Sequence, residues 1–570
     1  MNLHPQISHA RDPVTVEVIR NRLNGIANEM EASLIQSSFS TIVKEAGDAS
    51  AAIFTRLGEN LAQAVAQPIH LTTLIPMLAA VIAEHPLETI EPGDLFILND
   101  PYTAGGTHIP DIAVIMPVFV DAEICAFTGS VTHHQDTGGM TIGSTPTNAT
   151  EIFQEGLRLP VLKLWSAGKP NETLLKMIRL NVRLPLIFEG DLNAQIAACH
   201  IGAQRLTELA SKYGRDYLLS VFEDLLNKSE RLTREAIARI PNGTYIYVDH
   251  LDNDGIDDQP IRLQVAIEVE NDRIVCDFRG TSRQVRGPFN CVPSGSLSAA
   301  CFFIRALCGN EIPTNGGCFR PIELRMEKGS LVDPLPPAPV GCRTATVKRL
   351  ACAMLGALRS AMVELIPADS GSQLLTILIG GESSDGRFAI SIPLSSGSGA
   401  TPRSDGVDVI ETDITNTLNL PVESIEATSP LRVNYMRLAE NSGGAGQWRG
   451  GLGCEMEIEV LDGDLTLTYR GERQFQPASG ALGGLAGGRG SGTILRHSGQ
   501  TENIPSKCVT KLSKGDRLIA KTAGGGGYGD PKLRDRYLVE ADVNGGKISP
   551  HEAKEIYSWD ASSRYMGEVQ

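Results

Sequence analysis

The chain lacks a basic surplus, a disulfide framework and a membrane-length apolar run, and each absence narrows what it can be. Its formal net charge is −16 over 570 residues. Nucleic acid and anionic membrane both call for a basic face, so neither is expected as a partner. The 11 cysteines are scattered, with Cys291, Cys301, Cys308 and Cys318 only loosely grouped and no CxxC pair. An odd count without a framework fits a reducing cytoplasm, where thiols act as small core residues. The opening residues, Met1 to Gln6, carry neither the basic nor the apolar region of a signal peptide. The most apolar stretch, Leu71 to Ala83, is short and interrupted by Thr72, Thr73 and Pro76, too little to span a bilayer. No Gly-x-Ser-x-Gly elbow occurs. The glycine run Gly524 to Gly527 leads to Tyr528, Gly529 and Asp530 rather than to the Gly-Lys-Ser/Thr that holds phosphate and magnesium, so it reads as a turn.

What is present suits a soluble globular chain, with hydrophobic residues at 42% and charged residues at 21%. This length predicts two to four domains. Asp12 followed by Pro13 is a helix start, and Val16, Ile19, Leu23, Ile26, Met30 and Leu34 recur at helical spacing. A strand is expected at Ala51 to Phe54, a helix at Thr72 to Ala83, and a strand at Leu95 to Leu98. Helices fill Asn171 to Ile240. Strand patterns follow at Tyr245 to His250, Leu263 to Val269 and Ile274 to Phe278, then a helix at Thr346 to Leu365. Beyond Asn441 glycine dominates, which predicts short strands (Glu455 to Leu461, Leu465 to Tyr469) between turns that need positive φ. The expected class is α+β and multidomain. Its units are a metal-site α/β domain (1–165), a helical segment (166–242), an α+β domain (243–440) and a glycine-rich β domain with a C-terminal tail (441–570).

The most informative stretch runs from His108 to Gly139. His108, Asp111, His133, His134 and Asp136 flank two apolar runs, Ile112 to Val120 and Ile124 to Val131, joined by Asp121, Ala122 and Glu123. The unit reads as a hairpin with a three-residue loop, and Pro117 places its first strand at a sheet edge. Centring the loop on Ala122 sets Asp111 opposite His133, with Cβ atoms about 5 Å apart. That spacing suits two ligands of one divalent ion, zinc or manganese by ligand type, and His108 stands close enough to join them. A His-rich hairpin end also serves as a polar sheet rim. Glu155 and Arg158 could orient a ligand or a substrate carboxyl, or form a local ion pair. Glu45 and Asp48 are candidate acids near such a site, and nothing local ties Asp48 to the hairpin.

In order along the chain, Asp12-Pro13, Lys44-Glu45, Asp48, Asn99-Asp100-Pro101-Tyr102, Gly106 to Asp111, His133 to Asp136, and Glu155 to Pro160 resemble the hydantoinase B/oxoprolinase family. The likeness continues through Gly190 to Leu192, Pro313 to Cys318, Ser442 to Gly451 and Gly524 to Pro531, and covers nearly the whole chain to about Tyr557. By that resemblance the metal ligands are Asp48, His108, Asp111 and His133. His134 and Asp136 are expected behind them, orienting them, and Glu155 and Arg158 complete the catalytic set.

The resemblance also implies a division of labour. An A-type partner subunit of the actin/sugar-kinase fold binds ATP and magnesium and phosphorylates a cyclic amide, which is a hydantoin, 5-oxoproline or a lactam. Metal-bound water on this chain then opens the ring, and the assembly is A2B2 or larger. Two alternatives stay open: a subunit of an acetone- or acetophenone-type carboxylase, and a non-catalytic scaffold with a structural metal.

Overall fold

The computed structural model describes residues 12–559, except 66, 71, 310 and 385. The signal-peptide reading of Met1 to Gln6, and Leu71 of the apolar stretch, lie outside the described residues. The chain is α+β and multidomain, with four sheets. Among the described residues no helix is long and apolar enough to cross a membrane.

The chain starts as its caps dictate. Asp12 accepts from the Val14 and Thr15 N–H groups and Pro13 opens α1 (Pro13–Ser37); its Ile19, Leu23, Ile26, Met30 and Leu34 are buried. A single turn, α2 (Thr41–Lys44), leads into a seven-stranded antiparallel sheet. Its strands are β1 (Ala49–Thr55), β2 (Asn60–Gln63), β3 (Leu95–Leu98), β4 (Asp111–Val120), β5 (Glu123–His133), β6 (Leu162–Ser166) and β7 (Lys169–Pro170). They lie in the order β2-β1-β5-β4-β3-β6-β7. One face packs under α3 (Leu74–Glu84), through Phe54, Leu74, Met77, Leu78, Phe96, Ile115, Phe127 and Val131. The other meets α4 (Glu172–Asn181) and α5 (Pro185–Tyr213), through Ile97, Ile112, Val114, Ile178, Phe188, Leu192 and Cys199. A third helix, α6 (Arg215–Ile237), completes the expected helical run.

The hairpin departs from expectation in two ways. Its turn is the two residues Asp121 and Ala122, both at positive φ, as a type I′ hairpin turn requires. A bulge on β5 near Cys125 then restores the expected register of Asp111 with His133. Pro117 is not on an edge strand, because β4 sits between β5 and β3. Its missing N–H is tolerated because the four-residue β3 pairs only with Ala113 to Ile115 and leaves the far end of β4 unpaired on that side.

A second sheet holds β8 (Gly243–Leu251), β9 (Ile261–Glu270), β10 (Arg273–Asp277) and β11 (Ile322–Arg325). It packs with α7 (Pro293–Cys308), a helix the sequence patterns did not announce, and α8 (Arg343–Leu358), which starts and ends earlier than expected. A third sheet joins β12 (Leu374–Ser383) and β13 (Gly386–Ser395) to β16 (Asp464–Arg470) and β19 (Lys507–Ser513). It draws strands from both sides of residue 440, so the division drawn there from composition falls inside a sheet. The last sheet combines β14 (Leu431–Leu438), β15 (Cys454–Val460), β17 (Ser491–Leu495), β18 (Thr501–Ile504) and β20 (Arg517–Lys521).

Gly463, Gly483, Gly499, Gly515, Gly529 and Gly546 adopt the positive φ expected of the glycine-rich end, but the glycine run itself serves another purpose. Gly524 to Gly527 do not adopt positive φ. They thread between other backbones: Gly525 donates to the Gly451 carbonyl (2.9 Å) and accepts from the Gly444 N–H (2.8 Å). A Cβ at Gly525 would sit 1.9 Å from the Ser398 carbonyl oxygen. That neighbour is backbone and cannot rotate away. Gly525→Ala should cost about 3 kcal/mol, read as a shifted denaturant midpoint; a loss under about 0.5 kcal/mol would show that the stack gives way.

Glu31 on α1 is nearly enclosed at 9% exposure, and burial lifts its carboxyl from 4.5 to about 7, against an opposing pull from His70. A carboxyl raised in this way holds its proton more tightly folded than unfolded. Its contribution is complete below about pH 4.5 and is lost as pH rises through about 7. Wild type should therefore lose stability relative to Glu31→Gln between those limits in melts across pH, and parallel profiles would contradict the shift.

Candidate functional site

Three adjacent strands assemble the site. β5 pairs with β4 so that His133 faces Asp111. It pairs with β1 from Thr132 opposite Ala49. Asp48, one residue before β1, is therefore level with His133, whose N–H donates to the Asp48 carbonyl (3.1 Å). Gly47, at positive φ, makes the turn into this position. Opposed residues share a face, so Asp48, His133 and Asp111 form a row on the face that α3 covers further along. Sequence separation hid Asp48 from the hairpin, and strand pairing supplies the connection.

His108 enters from the loop before β4. Its Nε2 lies 3.0 Å from Asp111 Oδ1, and its ring centroid is 5.2 Å from that of His133. The Nε2 and Oδ1 atoms are off the line of a hydrogen bond, and both are buried without another partner. His108 Nδ1 is 2.9 Å from the Gly341 carbonyl, which fixes the proton on Nδ1 and leaves the Nε2 lone pair free. Glu155 holds that peptide segment: its carboxylate accepts from the Gly341 (2.7 Å) and Val340 (3.1 Å) N–H groups.

Besides Arg470 of the covering layer, two groups that touch the row escaped the sequence reading. His70, from the single turn Pro68–His70, places Nε2 3.7 Å from Asp48 Oδ1 and 3.8 Å from Asp111 Oδ2. Arg343, the first residue of α8, donates from Nη2 to Asp111 Oδ2 (2.5 Å) and to Thr107 Oγ1 (3.0 Å). The expected helix began three residues later and so left Arg343 out; nothing in the pattern around His70 marks it. Above the row, Leu374, Thr376 and Leu378 of β12, Ser391 and Pro393 of β13 and Arg470 of β16 line a cavity of about 40 Å³, room for a few waters.

The electrostatics are those of a buried mixed-charge site. Burial holds the His133 and His108 imidazoles below their ordinary value, leaving both neutral. Burial would raise Asp111, but His108 and Arg343 outweigh it and hold the carboxyl well down. Asp48 is lifted to about 6 by burial, with His70 pulling the other way. For His70, burial is outweighed by Asp111 and Asp48, so its imidazole is raised toward the charged form.

The remaining candidates stand apart from the row. His134 points to the opposite sheet face, where Nε2 lies 2.9 Å from Gln195 Oε1 and the ring packs on Phe188 of α5. Asp136 accepts from the Gly138 (3.0 Å) and Gly143 (3.2 Å) N–H groups and from Arg183 (3.0 Å), pinning the loop after β5. Arg158 pairs with Asp100 and lies over the Phe153 ring, 5.2 Å from its centroid, rather than meeting Glu155. Glu45 follows α2.

The family model for hydantoinase B/oxoprolinase matches residues 12–531. The chain belongs to that family. The B-type subunit of a putative D-/L-hydantoinase from a Pseudomonas species is 31% identical over 561 residues, 95% of this chain and 94% of that one. The structure of the ATP-dependent caprolactamase from Pseudomonas jessenii superposes with a TM-score of 0.91 at 28% identity, covering 97% of both chains. Acetone carboxylase in its nucleotide-free form shares the fold, with a TM-score of 0.88 at 21% identity over 96% of this chain and 79% of that one.

Family membership gives the braces around the row a context. Asn99 donates to the Ile109 (2.7 Å) and Leu157 (3.0 Å) carbonyls, and Asp100 accepts from the Tyr102 (3.0 Å) and Thr103 (2.8 Å) N–H groups. A Cβ at Gly106 would meet the Asn99 carbonyl oxygen at 2.2 Å. The Asn-Asp-Pro-Tyr and Glu155 segments, conspicuous in the sequence, thus fix the loop that presents His108. Glu155→Ala should leave the Val340 and Gly341 N–H groups buried and unpaired, at roughly 1–3 kcal/mol each. Denaturant unfolding reads this directly, and a total below about 1 kcal/mol would show that the loop does not depend on Glu155.

Proposed function

We propose that this chain is the metal-binding subunit of an ATP-dependent cyclic amide hydrolase, working with an A-type, ATP-binding partner. The observation that carries the reading is the row of Asp48, His133 and Asp111 across three strands with His108 beside it. The relatives named as a hydantoinase component and a caprolactamase, aligned nearly end to end, support a cyclic amide as the substrate class.

The donor set is imidazole and carboxylate, which suits zinc or manganese. Among the described residues no three His, Cys, Asp or Glu side chains already converge as a formed ion site. The fit rests instead on the leftover donors: His108 Nε2, Asp111 Oδ1 and His133 Nδ1 are buried with no hydrogen-bond partner, an arrangement that is costly unless something binds there. Asp48, His108, Asp111 and His133 would hold the ion, which when bound supplies a water of lowered pKa.

The chain's own groups frame the reaction. Arg343 keeps Asp111 ionised, and the Gly341 carbonyl keeps His108 in one tautomer. A ring nitrogen that leaves as an amine needs a proton, and His70, whose Nε2 lies 3.7 Å from Asp48 and 3.8 Å from Asp111 in the cavity, is the imidazole placed to supply it. His134 and Asp136 act through structure on this reading, the first from behind β5 and the second by fixing the loop that follows it. Glu155 does so through the Val340–Gly341 segment, and Arg158 through Asp100. The carboxylase reading has only the shared fold in its favour.

His108→Ala and His133→Ala should each lower bound metal from about one equivalent to near none, and abolish ring opening, while the far-UV spectrum is unchanged. Full metal and full turnover in either variant would mean the site is misassigned. With the partner present, ATP consumption should be driven by a cyclic amide such as a hydantoin, 5-oxoproline or caprolactam. Consumption driven only by a ketone with bicarbonate would replace the hydrolase with a carboxylase.

A further inference from the structure

Between β13 and the short helix Val422–Thr428 the chain is irregular, yet Thr415 and Thr417 of this stretch are buried and line the cavity. A segment outside any ladder is held by side chains and single backbone bonds, and three anchors hold this one. Lys348 of α8, fully buried, gives its ammonium protons to the Glu411 carboxylate, the Thr412 carbonyl (2.5 Å) and Thr415 Oγ1 (2.9 Å). Gln67 takes the next two residues. Its Oε1 accepts from the Asn416 N–H (3.0 Å) and its Nε2 donates to Thr417 Oγ1 (3.0 Å). The Leu418 N–H then donates to the Ala46 carbonyl (3.1 Å).

Each anchor stands on an element that also delivers a group of the site. Helix α8 opens with Arg343, and Ala46 lies in the turn that leads to Asp48. Gln67 precedes the turn Pro68–His70, and its own carbonyl accepts from the His70 N–H (2.9 Å). Its Nε2 is also 3.5 Å from the carbonyl of Gly47, the residue before Asp48. His70 depends on such a hold. Its Nε2 stands 3.7 Å from Asp48 and 3.8 Å from Asp111, both beyond hydrogen-bond length, and its Nδ1 is buried without a hydrogen-bond partner. The ring takes its place from the turn that carries it.

We propose that Gln67 is a positioning residue for the reaction, tying the 411–418 segment to the Pro68–His70 turn so that His70 stands beside Asp48 and Asp111. This rests on the cyclic amide reading, in which His70 supplies the proton to the leaving nitrogen. Gln67 acts through His70 and the segment, by accepting and donating at once. A carboxylate at 67 could accept from Asn416 but not donate to Thr417, and a thioether could do neither well.

Hydrogen exchange of the full chain, read by mass spectrometry, tests the tie without substrate. Gln67→Met should speed exchange across 411–418 roughly 3- to 10-fold. Thr417→Val, made on the segment, should do the same at the His70 turn, and Thr417→Ser, which keeps the hydroxyl, should restore it. Exchange unchanged in both Gln67→Met and Thr417→Val overturns the proposal. Turnover by the complex with its ATP-binding partner tests the role. Gln67→Met should lower kcat about 10- to 100-fold with KM and bound metal unchanged, and should add nothing in a His70→Asn background. A loss that multiplies with that of His70→Asn, or a raised KM with kcat kept, would also overturn it. If Gln67→Met does not fold, Thr417→Val carries the same cycle. Exchange that responds in a protein whose complex opens no cyclic amide keeps the tie and removes the function. Ring opening with exchange indifferent to both variants does the reverse.

Discussion

Strand register is the constraint on which the site depends. Side chains alternate between sheet faces, so a slip of one residue moves a whole strand's set to the wrong side. The two-residue turn at Asp121 and Ala122 alone would set Asp111 opposite Thr132 and turn His133 toward α5. The bulge near Cys125 shifts the pairing by one residue and brings His133 back to the face of Asp111. β1 then adds Asp48 by pairing with the same strand. A local irregularity near the turn thus decides the chemistry at the far end of the hairpin, as is common for bulges near active sites.

The layers that close over the row set its charge. Two carboxylates, three imidazoles and Arg343 share a volume that holds only a few waters, where an unpaired charge is expensive. The arrangement is balanced rather than neutralised: Asp111 is committed to Arg343, whereas burial lifts the Asp48 carboxyl against the pull of His70, and Asp111 and Asp48 outweigh burial to raise the His70 imidazole. His108 is governed from outside the row, through the Gly341 carbonyl and behind it Glu155.

The hairpin, its register and the end of the sheet carrying the row were legible in the sequence because strand periodicity and turn position are local signals. The first helix was legible for the same reason, with Asp12 and Pro13 marking its start. Residues brought in by tertiary packing were not. His70 sits in a single turn, Arg343 and Arg470 at the end residues of a helix and a strand, and no period or spacing marks any of them. His134 and Asp136 were expected behind the ligands from the motif they share; alternation sends His134 to the other sheet face and the loop after β5 claims Asp136. Glycine was misread in mechanism: in the run after Ala523 it serves close backbone approach, which leaves the same compositional trace as a turn.

The cavity lies where the layer of β12, β13 and β16 meets the seven-stranded sheet. Those layers come from separate parts of the chain, and at the site Arg470, Thr376 and Ser391 stand with Leu374, Leu378 and Pro393 over Asp48, Asp111 and His133. The enclosed row and its unpartnered donor and acceptor atoms on His108, Asp111 and His133 therefore belong to one arrangement, because buried polar atoms without partners are held only where the surrounding strands and loops fix them in place.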